Sequence, residues 1–328
     1  MSWNVYVTRE VAGEAIDLLR KKCETVDVNG EDRSLTKEEL IQALTKRDGV
    51  LSMATDPVDD EVLVAAQTAG VRIFANCAVG YDNIDVAAAT KRGIMITNTP
   101  GELTDATADL AWGLLFAVAR RVVSSDRFLR AGKWRGFSPT LFLGSDITGK
   151  ILGVIGAGRI GTAMALRSGA FGMTVLYTDP RPSTTLEERL GARRVDFYTL
   201  LRQADFVSIH VALSSETRHL IGKDELSLMK PTAYLINTSR GPVVDEKALL
   251  DALRAKVIAG AALDVYEHEP ELPTGLMELD NVVLTPHIGS ATTETRAKMA
   301  LLAAENLLAG LQGHRPPNLV NDDVWKRS

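Results

Sequence analysis

Cysteine is almost missing from this chain: Cys23 and Cys77 are the only two in 328 residues. Two thiols exclude a disulfide framework and a cysteine-built zinc site, and the apolar setting of Cys77 suits a buried, inert thiol. A surplus of positive charge is missing too. Lys and Arg total 37 against 42 Asp and Glu, for a formal net charge of −5. The clustered cations that would release counterions from DNA are therefore lacking, and nucleic acid is not an expected partner. No apolar run reaches the ~18–20 residues that cross a bilayer, and the start, Met1-Ser-Trp-Asn-Val-Tyr-Val-Thr8, carries neither the basic nor the long apolar region of a secretion signal. The expectation is a cytoplasmic protein with no membrane partner. There is no repeat or low-complexity tract, and the five histidines show no ligand spacing, so no metal is expected.

What is present is a large apolar complement, 45% of the residues. Single cores stop growing near ~250–300 residues, so this length predicts two domains. Short apolar runs at 5–7, 49–53, 72–75 and 94–97 read as strands, and 11–22, 36–44, 59–69 and 86–91 read as helices between them. Such alternation predicts a parallel sheet with helices on its faces. The spacing then predicts one helix over 104–123, capped by Thr104 with Asp105 in its first turn, long enough to connect two lobes. The loop after it carries Trp134 and Phe137 and is expected on the surface, near a cleft or a subunit contact. A second alternation has strands at 151–155, 174–177, 206–210, 233–237, 260–263 and 282–284, with a helix expected between each pair. A long Ala- and Leu-rich helix over 292–312 follows, stopped by His314-Arg-Pro-Pro317. The fold class is α/β, with doubly wound parallel sheets.

The most informative stretch is Gly156-Ala-Gly158-Arg-Ile-Gly161, which lies between the first two strands of the second alternation. The first glycine permits a tight turn, the second lets backbone approach a pyrophosphate, and the third packs the new helix against the strand it left. The helix start then offers unpaired N–H groups and a positive dipole end to phosphate. Asp179 ends the next strand eighteen residues past Gly161, near the ~20 residues expected before an acid that binds ribose.

Three loops at the carboxyl ends of later strands carry residues suited to catalysis. Asn237-Thr-Ser-Arg240-Gly241 offers a guanidinium. Asp264-Val-Tyr-Glu267-His268-Glu269-Pro270 offers acids and a histidine, and Thr285-Pro-His287-Ile-Gly289 a second histidine. In an open parallel sheet such loops converge on the ligand crevice. Reduction of a 2-oxo acid builds negative charge on the carbonyl oxygen as hydride reaches the carbon, so a proton donor is needed there. His287 can be that donor, since a neighbouring carboxylate favours imidazolium and raises its pKa. Glu269 is the candidate carboxylate, although spacing alone does not separate it from Glu267. Arg240 keeps its charge, and its planar fork suits the substrate carboxylate and carbonyl. Taken singly, each has a blander reading as a cap, a core histidine or a solvated acidic loop.

Together these segments resemble the D-isomer-specific 2-hydroxyacid dehydrogenases. The similarity runs through Gly80-Tyr-Asp-Asn-Ile-Asp85, Gly156-Ala-Gly-Arg-Ile-Gly161, Asn237-Thr-Ser-Arg-Gly-Pro-Val-Val-Asp245, Ala262-Leu-Asp-Val-Tyr-Glu-His-Glu-Pro270 and Thr285-Pro-His-Ile-Gly-Ser-Ala291. It covers nearly the whole length and is nearest to the glyoxylate and hydroxypyruvate reductases within that family. The resemblance implies Arg240, Glu269 and His287 as the catalytic set, and it selects Glu269 over Glu267. It implies that backbone N–H groups around Val79 and Gly80 bind the substrate carboxylate together with Arg240. Thr107, Gly156, Gly158, Arg159, Ile160, Gly161, Asp179, Thr238, Asp264, His287 and Gly289 would line the cofactor. It further implies a discontinuous catalytic domain of residues 1–101 plus 290–328, an NAD-binding domain over 102–289, and a homodimer with a cleft that closes on ligand.

Asp179 repels the 2′-phosphate of NADP, which favours NAD, while Arg181 two residues on keeps NADP open. Related phosphite dehydrogenases carry lysine where Val79 stands, and formate dehydrogenases pair their histidine with glutamine rather than an acid, so neither substrate is expected here. A rival from another class is a dinucleotide-sensing binding protein of the same fold. The compact length and the lack of interaction tails favour an enzyme.

Overall fold

The computed structural model describes residues 3–326. The chain divides into two compact units, residues 1–103 with 290–328, and residues 104–289. In the first unit the strands are β1 (Asn4–Val7), β2 (Thr25–Val28), β3 (Gly49–Ser52), β4 (Ile73–Asn76) and β5 (Met95–Thr97). They pair in parallel in the order β2-β1-β3-β4-β5, the flavodoxin-like order. Both faces are covered, so β3 and β4 are buried at every position and read as continuous apolar runs rather than alternating ones. The Gly13–Lys22 and Thr293–Leu311 helices cover one face, bringing Leu19, Ala303 and Leu307 against Val7, Leu51 and Ile73. A Cβ at Gly49 would come within 2.7 Å of Leu307, so glycine there allows the last helix to lie close to the sheet. That contact ties the distant C-terminal segment into the first unit.

The second unit contains β6 (Ile151–Ile155), β7 (Thr174–Thr178), β8 (Arg193–Arg194), β9 (Phe206–Ile209), β10 (Tyr234–Asn237), β11 (Gly260–Leu263) and β12 (Val282–Leu284). All pairings are parallel, in the order β12-β11-β10-β9-β6-β7-β8. The order reverses between β6 and β9, which makes this junction the crevice of a doubly wound sheet. The Thr104–Ala119 and Arg159–Arg167 helices pack on one face around Trp112, Leu115 and Met164. The Phe197–Gln203, Lys223–Leu228 and Glu246–Arg254 helices cover the other around Leu200, Leu226 and Leu253.

Four expectations from the sequence are corrected. The helix expected over 104–123 is two, Thr104–Ala119 and Val122–Arg130, because Arg121 takes a left-handed φ of 54° that no helix continues through. Thr104 is the first helical residue rather than the cap. No helix joins β11 to β12; Pro270, Pro273 and Gly275 interrupt that segment. The edge strands β2 and β8 were not anticipated: β2 is polar-alternating and half exposed, and β8 is two exposed arginines, so neither shows the buried apolar run of an inner strand. Among the described residues, no helix is long and apolar enough to cross a membrane.

Candidate active site

The glycine turn follows β6. Gly156 has φ 93°, and a Cβ there would stand 2.8 Å from the His210 carbonyl carbon at the end of β9. Only glycine satisfies both constraints. At Gly161 a Cβ would overlap the Gly156 carbonyl oxygen, so the helix packs against its own turn, whereas a Cβ at Gly158 would meet nothing within 4 Å. Gly158 caps the Arg159–Arg167 helix without a side-chain hydrogen bond. The first turn of that helix, at Arg159 and Ile160, thus begins without a side-chain cap, as a phosphate site requires.

Asp179, just past β7, is tied to this turn. Its Oδ2 accepts the Ala157 N–H at 2.9 Å and its Oδ1 the Arg181 N–H at 2.9 Å. Each carboxylate oxygen keeps a second lone pair for a ligand. Gly158, Arg159, Asp179, Arg181, Ser183 and Thr184 line a cavity of about 1030 Å³. Arg194 from β8 donates to the Asp179 and Pro180 carbonyls at 3.0 and 2.8 Å and so braces the acid's loop. That is a use of β8 its sequence did not signal.

The loops after β10, β11 and β12 carry the candidate acid–base residues. After β10, the Asn237 side chain donates to the Arg240 carbonyl at 2.9 Å and accepts the Ser239 N–H at 3.0 Å, which fixes the half-buried Arg240. A Cβ on the adjacent Gly241 would overlap the Tyr266 carbonyl, so the arginine loop lies directly on the acid loop. There the Tyr266 N–H donates to Glu269 Oε1 at 3.0 Å, and the other oxygen, Oε2, meets His287 Nδ1 at 2.8 Å.

His287 is held in turn by its backbone. It takes φ 51°, its N–H donates to the Asp264 carbonyl at 2.9 Å, and the buried Asp264 carboxylate accepts Thr285 Oγ1, Ile288 N–H and Gly289 N–H at 2.6–2.8 Å. Thr107 Oγ1 closes the set on the Gly289 carbonyl at 3.1 Å. Tyr266, which sequence reasoning did not single out, also sends its hydroxyl to the Thr285 carbonyl at 2.9 Å. Its place between two site segments is visible only after folding.

The electrostatics match this arrangement. Burial pushes the Glu269 carboxyl upward, but the hydrogen bond and charge of His287, the Tyr266 N–H and the Arg240 charge outweigh it and hold the group below the usual carboxylate range. Burial wins at Asp264, whose carboxyl is raised despite its Thr285 and Ile288 bonds. Glu267, the alternative acid, faces elsewhere: its Oε1 lies 2.6 Å from His219 Nε2 and 3.6 Å from Arg218.

The Thr238 hydroxyl is buried with no hydrogen-bond partner. That orphaned group and the open approach at Gly158 fit a dinucleotide, which the pairing of a nicotinamide with an acid–base site requires. Val79 and Gly80 lie half-buried in the first unit, in the loop after β4. Among the described residues, no group of three or more His, Cys, Asp or Glu gathers as a metal site would need.

A glycine turn beside an acid at the end of β7, on the same doubly wound sheet as a histidine–carboxylate pair, is the arrangement expected of a nicotinamide-dependent oxidoreductase. Comparison with known proteins makes the class specific. Residues 112–289 match the family model described as D-isomer specific 2-hydroxyacid dehydrogenase, NAD binding domain. A glyoxylate reductase of Thermococcus litoralis is 50% identical over 100% of this chain and 99% of its own length. A crystal structure of a Thermus thermophilus protein superposes with TM-score 0.89 at 44% identity, covering 97% of this chain and 99% of that one. An NADPH-dependent glyoxylate/hydroxypyruvate reductase from Sinorhizobium meliloti, in complex with NADP and malonate, gives TM-score 0.85 at 32% identity, with 98% of both chains covered. The chain belongs to the D-isomer-specific 2-hydroxyacid dehydrogenases, and it is an NAD(P)-dependent enzyme that reduces 2-oxo acids.

Proposed function

We propose that this enzyme reduces glyoxylate, and hydroxypyruvate beside it, to the 2-hydroxy acid, with the D configuration where the product has a stereocentre. The observation that carries the mechanism is the 2.8 Å contact between His287 Nδ1 and Glu269 Oε2. When bound, the nicotinamide supplies the hydride. His287 donates the proton to the carbonyl oxygen from Nε2, since Nδ1 is engaged by Glu269, and the carboxylate stabilises the imidazolium that precedes transfer. Arg240 binds the substrate carboxylate and polarises the carbonyl. In the first unit, the backbone N–H groups of Val79 and Gly80 are assigned to the substrate carboxylate.

Gly156, Gly158, Arg159, Ile160 and Gly161 are assigned to the pyrophosphate turn and Asp179 to the ribose. Thr107, Thr238, Asp264, His287 and Gly289 are assigned to the rest of the cofactor. NADH is the preferred donor because the Asp179 carboxylate repels a 2′-phosphate; Arg181 on the same cavity wall is the feature that favours NADPH. The enzyme is read as a cytoplasmic homodimer. The Val122–Arg130 helix buries none of its residues, and Phe137 beyond it is 91% exposed, an apolar surface suited to a second copy. The decisive test is absorbance at the NADH band with glyoxylate, hydroxypyruvate, pyruvate and phenylpyruvate in turn. Oxidation fastest with glyoxylate supports the reading. No oxidation with glyoxylate or hydroxypyruvate overturns it.

A further inference from the structure

The loop after β4 is held by its carbonyls. Three successive ones are engaged: Ala78 O accepts the Thr99 N–H at 2.8 Å, Val79 O accepts Asn98 Nδ2 at 2.8 Å, and Gly80 O accepts Asn76 Nδ2 at 2.9 Å. In a planar trans peptide the N–H points opposite to the C=O. Turning these three oxygens toward Thr99, Asn98 and Asn76 therefore turns the N–H groups of Val79, Gly80 and Tyr81 each away from the partner of the carbonyl before it. Backbone N–H groups so placed can receive an anion.

The two amides come from firm supports. Asn76 is the fully buried last residue of β4. Asn98 follows β5, which pairs with β4 through Ala75 and Thr97. The Asn98 backbone is itself clamped: its N–H donates to the Asn318 carbonyl at 3.3 Å, and its carbonyl accepts Asn306 Nδ2 at 3.2 Å. Asn306 is fully buried on the Thr293–Leu311 helix. The loop's orientation is thus anchored to the sheet and to the last helix.

We infer that Asn98 and Asn76 are positioning residues for substrate: their amides hold the loop with its N–H groups presented to the carboxylate of the 2-oxo acid. The inference rests on the assignment of Val79 and Gly80 to that carboxylate. It predicts an effect on substrate affinity that spares the cofactor.

The test compares wild type with Asn98→Ala and Asn76→Ala, measuring kcat, KM for glyoxylate, KM for NADH, and inhibition by oxalate, a carboxylate probe that undergoes no reduction. In each variant, KM for glyoxylate and the oxalate inhibition constant should rise together by roughly tenfold, the effect of about one lost hydrogen bond. KM for NADH should stay within about twofold. If an alanine variant fails to fold, Asn98→Asp keeps the side chain's shape, removes the donated hydrogens, and should give the same rise. Folded variants with an unchanged glyoxylate KM, or with both KM values rising in parallel, would overturn the positioning role while leaving the reductase reading intact. A wild-type enzyme that reduces no 2-oxo acid would instead remove the reading on which the role stands.

Discussion

Two histidine–glutamate pairs share the loop after β11, and they are nearly alike as chemistry. His219 meets Glu267 at 2.6 Å and His287 meets Glu269 at 2.8 Å, and both histidines take φ 51°. Their surroundings differ. His219 is attached to the segment before the Lys223–Leu228 helix and shares its acid with the exposed Arg218. His287 is locked by four hydrogen bonds through Asp264, and its acid also feels Arg240. A pair of complementary groups is therefore not a site. What distinguishes the second pair is a rigid backbone beneath it and a third, permanently charged group beside it.

The sharpest way to break this comparison is to remove each histidine. His287→Ala and Arg240→Ala should each lower kcat/KM for glyoxylate by about 10²–10⁴-fold, the usual share of a positioned proton donor or charged anchor. His219→Ala should leave it within about threefold, since its imidazole meets Glu267 and not the Glu269–His287 pair. Equal losses from both histidine variants would erase the distinction.

Gly241→Ala should come next. Its methyl would collide with the Tyr266 carbonyl, costing at least ~1–3 kcal/mol of stability and separating the Arg240 loop from the Glu269 loop. Both the denaturation midpoint and kcat/KM should fall.

Glu269→Gln sharpens the comparison through pH. Glu269 is held below the usual carboxylate range, so in the wild type it stays ionised through weakly acidic pH beside the proposed donor His287. The amide removes that charge, so the alkaline limb of the kcat/KM profile for reduction should move to lower pH. Glu267→Gln should leave the profile in place.

A further effect is on the pH dependence of stability, away from the histidine–glutamate pairs. His210 is pushed down to about 4 from 6.5 by burial, beside Ser208 Oγ at 2.8 Å. Because its folded value is depressed, the unfolded chain binds a proton between pH 6.5 and about 4 that the folded chain refuses. Stability attributable to this residue is therefore retained above pH 6.5 and lost as pH falls toward 4, at up to roughly 1.4 kcal/mol per unit. Urea midpoints at pH 7 and pH 5 should diverge less in His210→Asn than in the wild type.

Much of the fold was legible in the chain because its signals are local. The apolar runs of β3 and β4 follow from burial on both faces, which leaves no polar alternation to confuse the reading. The expected helix over 86–91 is found at the same bounds, with Asp85 capping it through the Ala88 N–H. The break at Arg121 was not legible, since apolar spacing continues across it and only one backbone angle interrupts the helix. The missing helix between β11 and β12 is a similar case. There a strand-to-strand alternation suggested a helix that Pro270 and Pro273 forbid.

The glycine turn and the family could be read from the chain alone. Gly156 and Gly161 answer constraints of backbone angle and contact that spacing records directly. Spacing did not determine the pairing of side chains. Glu267 and Glu269 are chemically equivalent as sequence, and the assignment of one to His219 and the other to His287 is made by the path of the loop after β11. Likewise, nothing in Asn76 or Asn98 announces a shared task, because they are separated along the chain and become neighbours only when β4 and β5 align in register. Local geometry is encoded by adjacent residues, whereas charge pairing and loop orientation depend on distances that exist only after the sheets have formed.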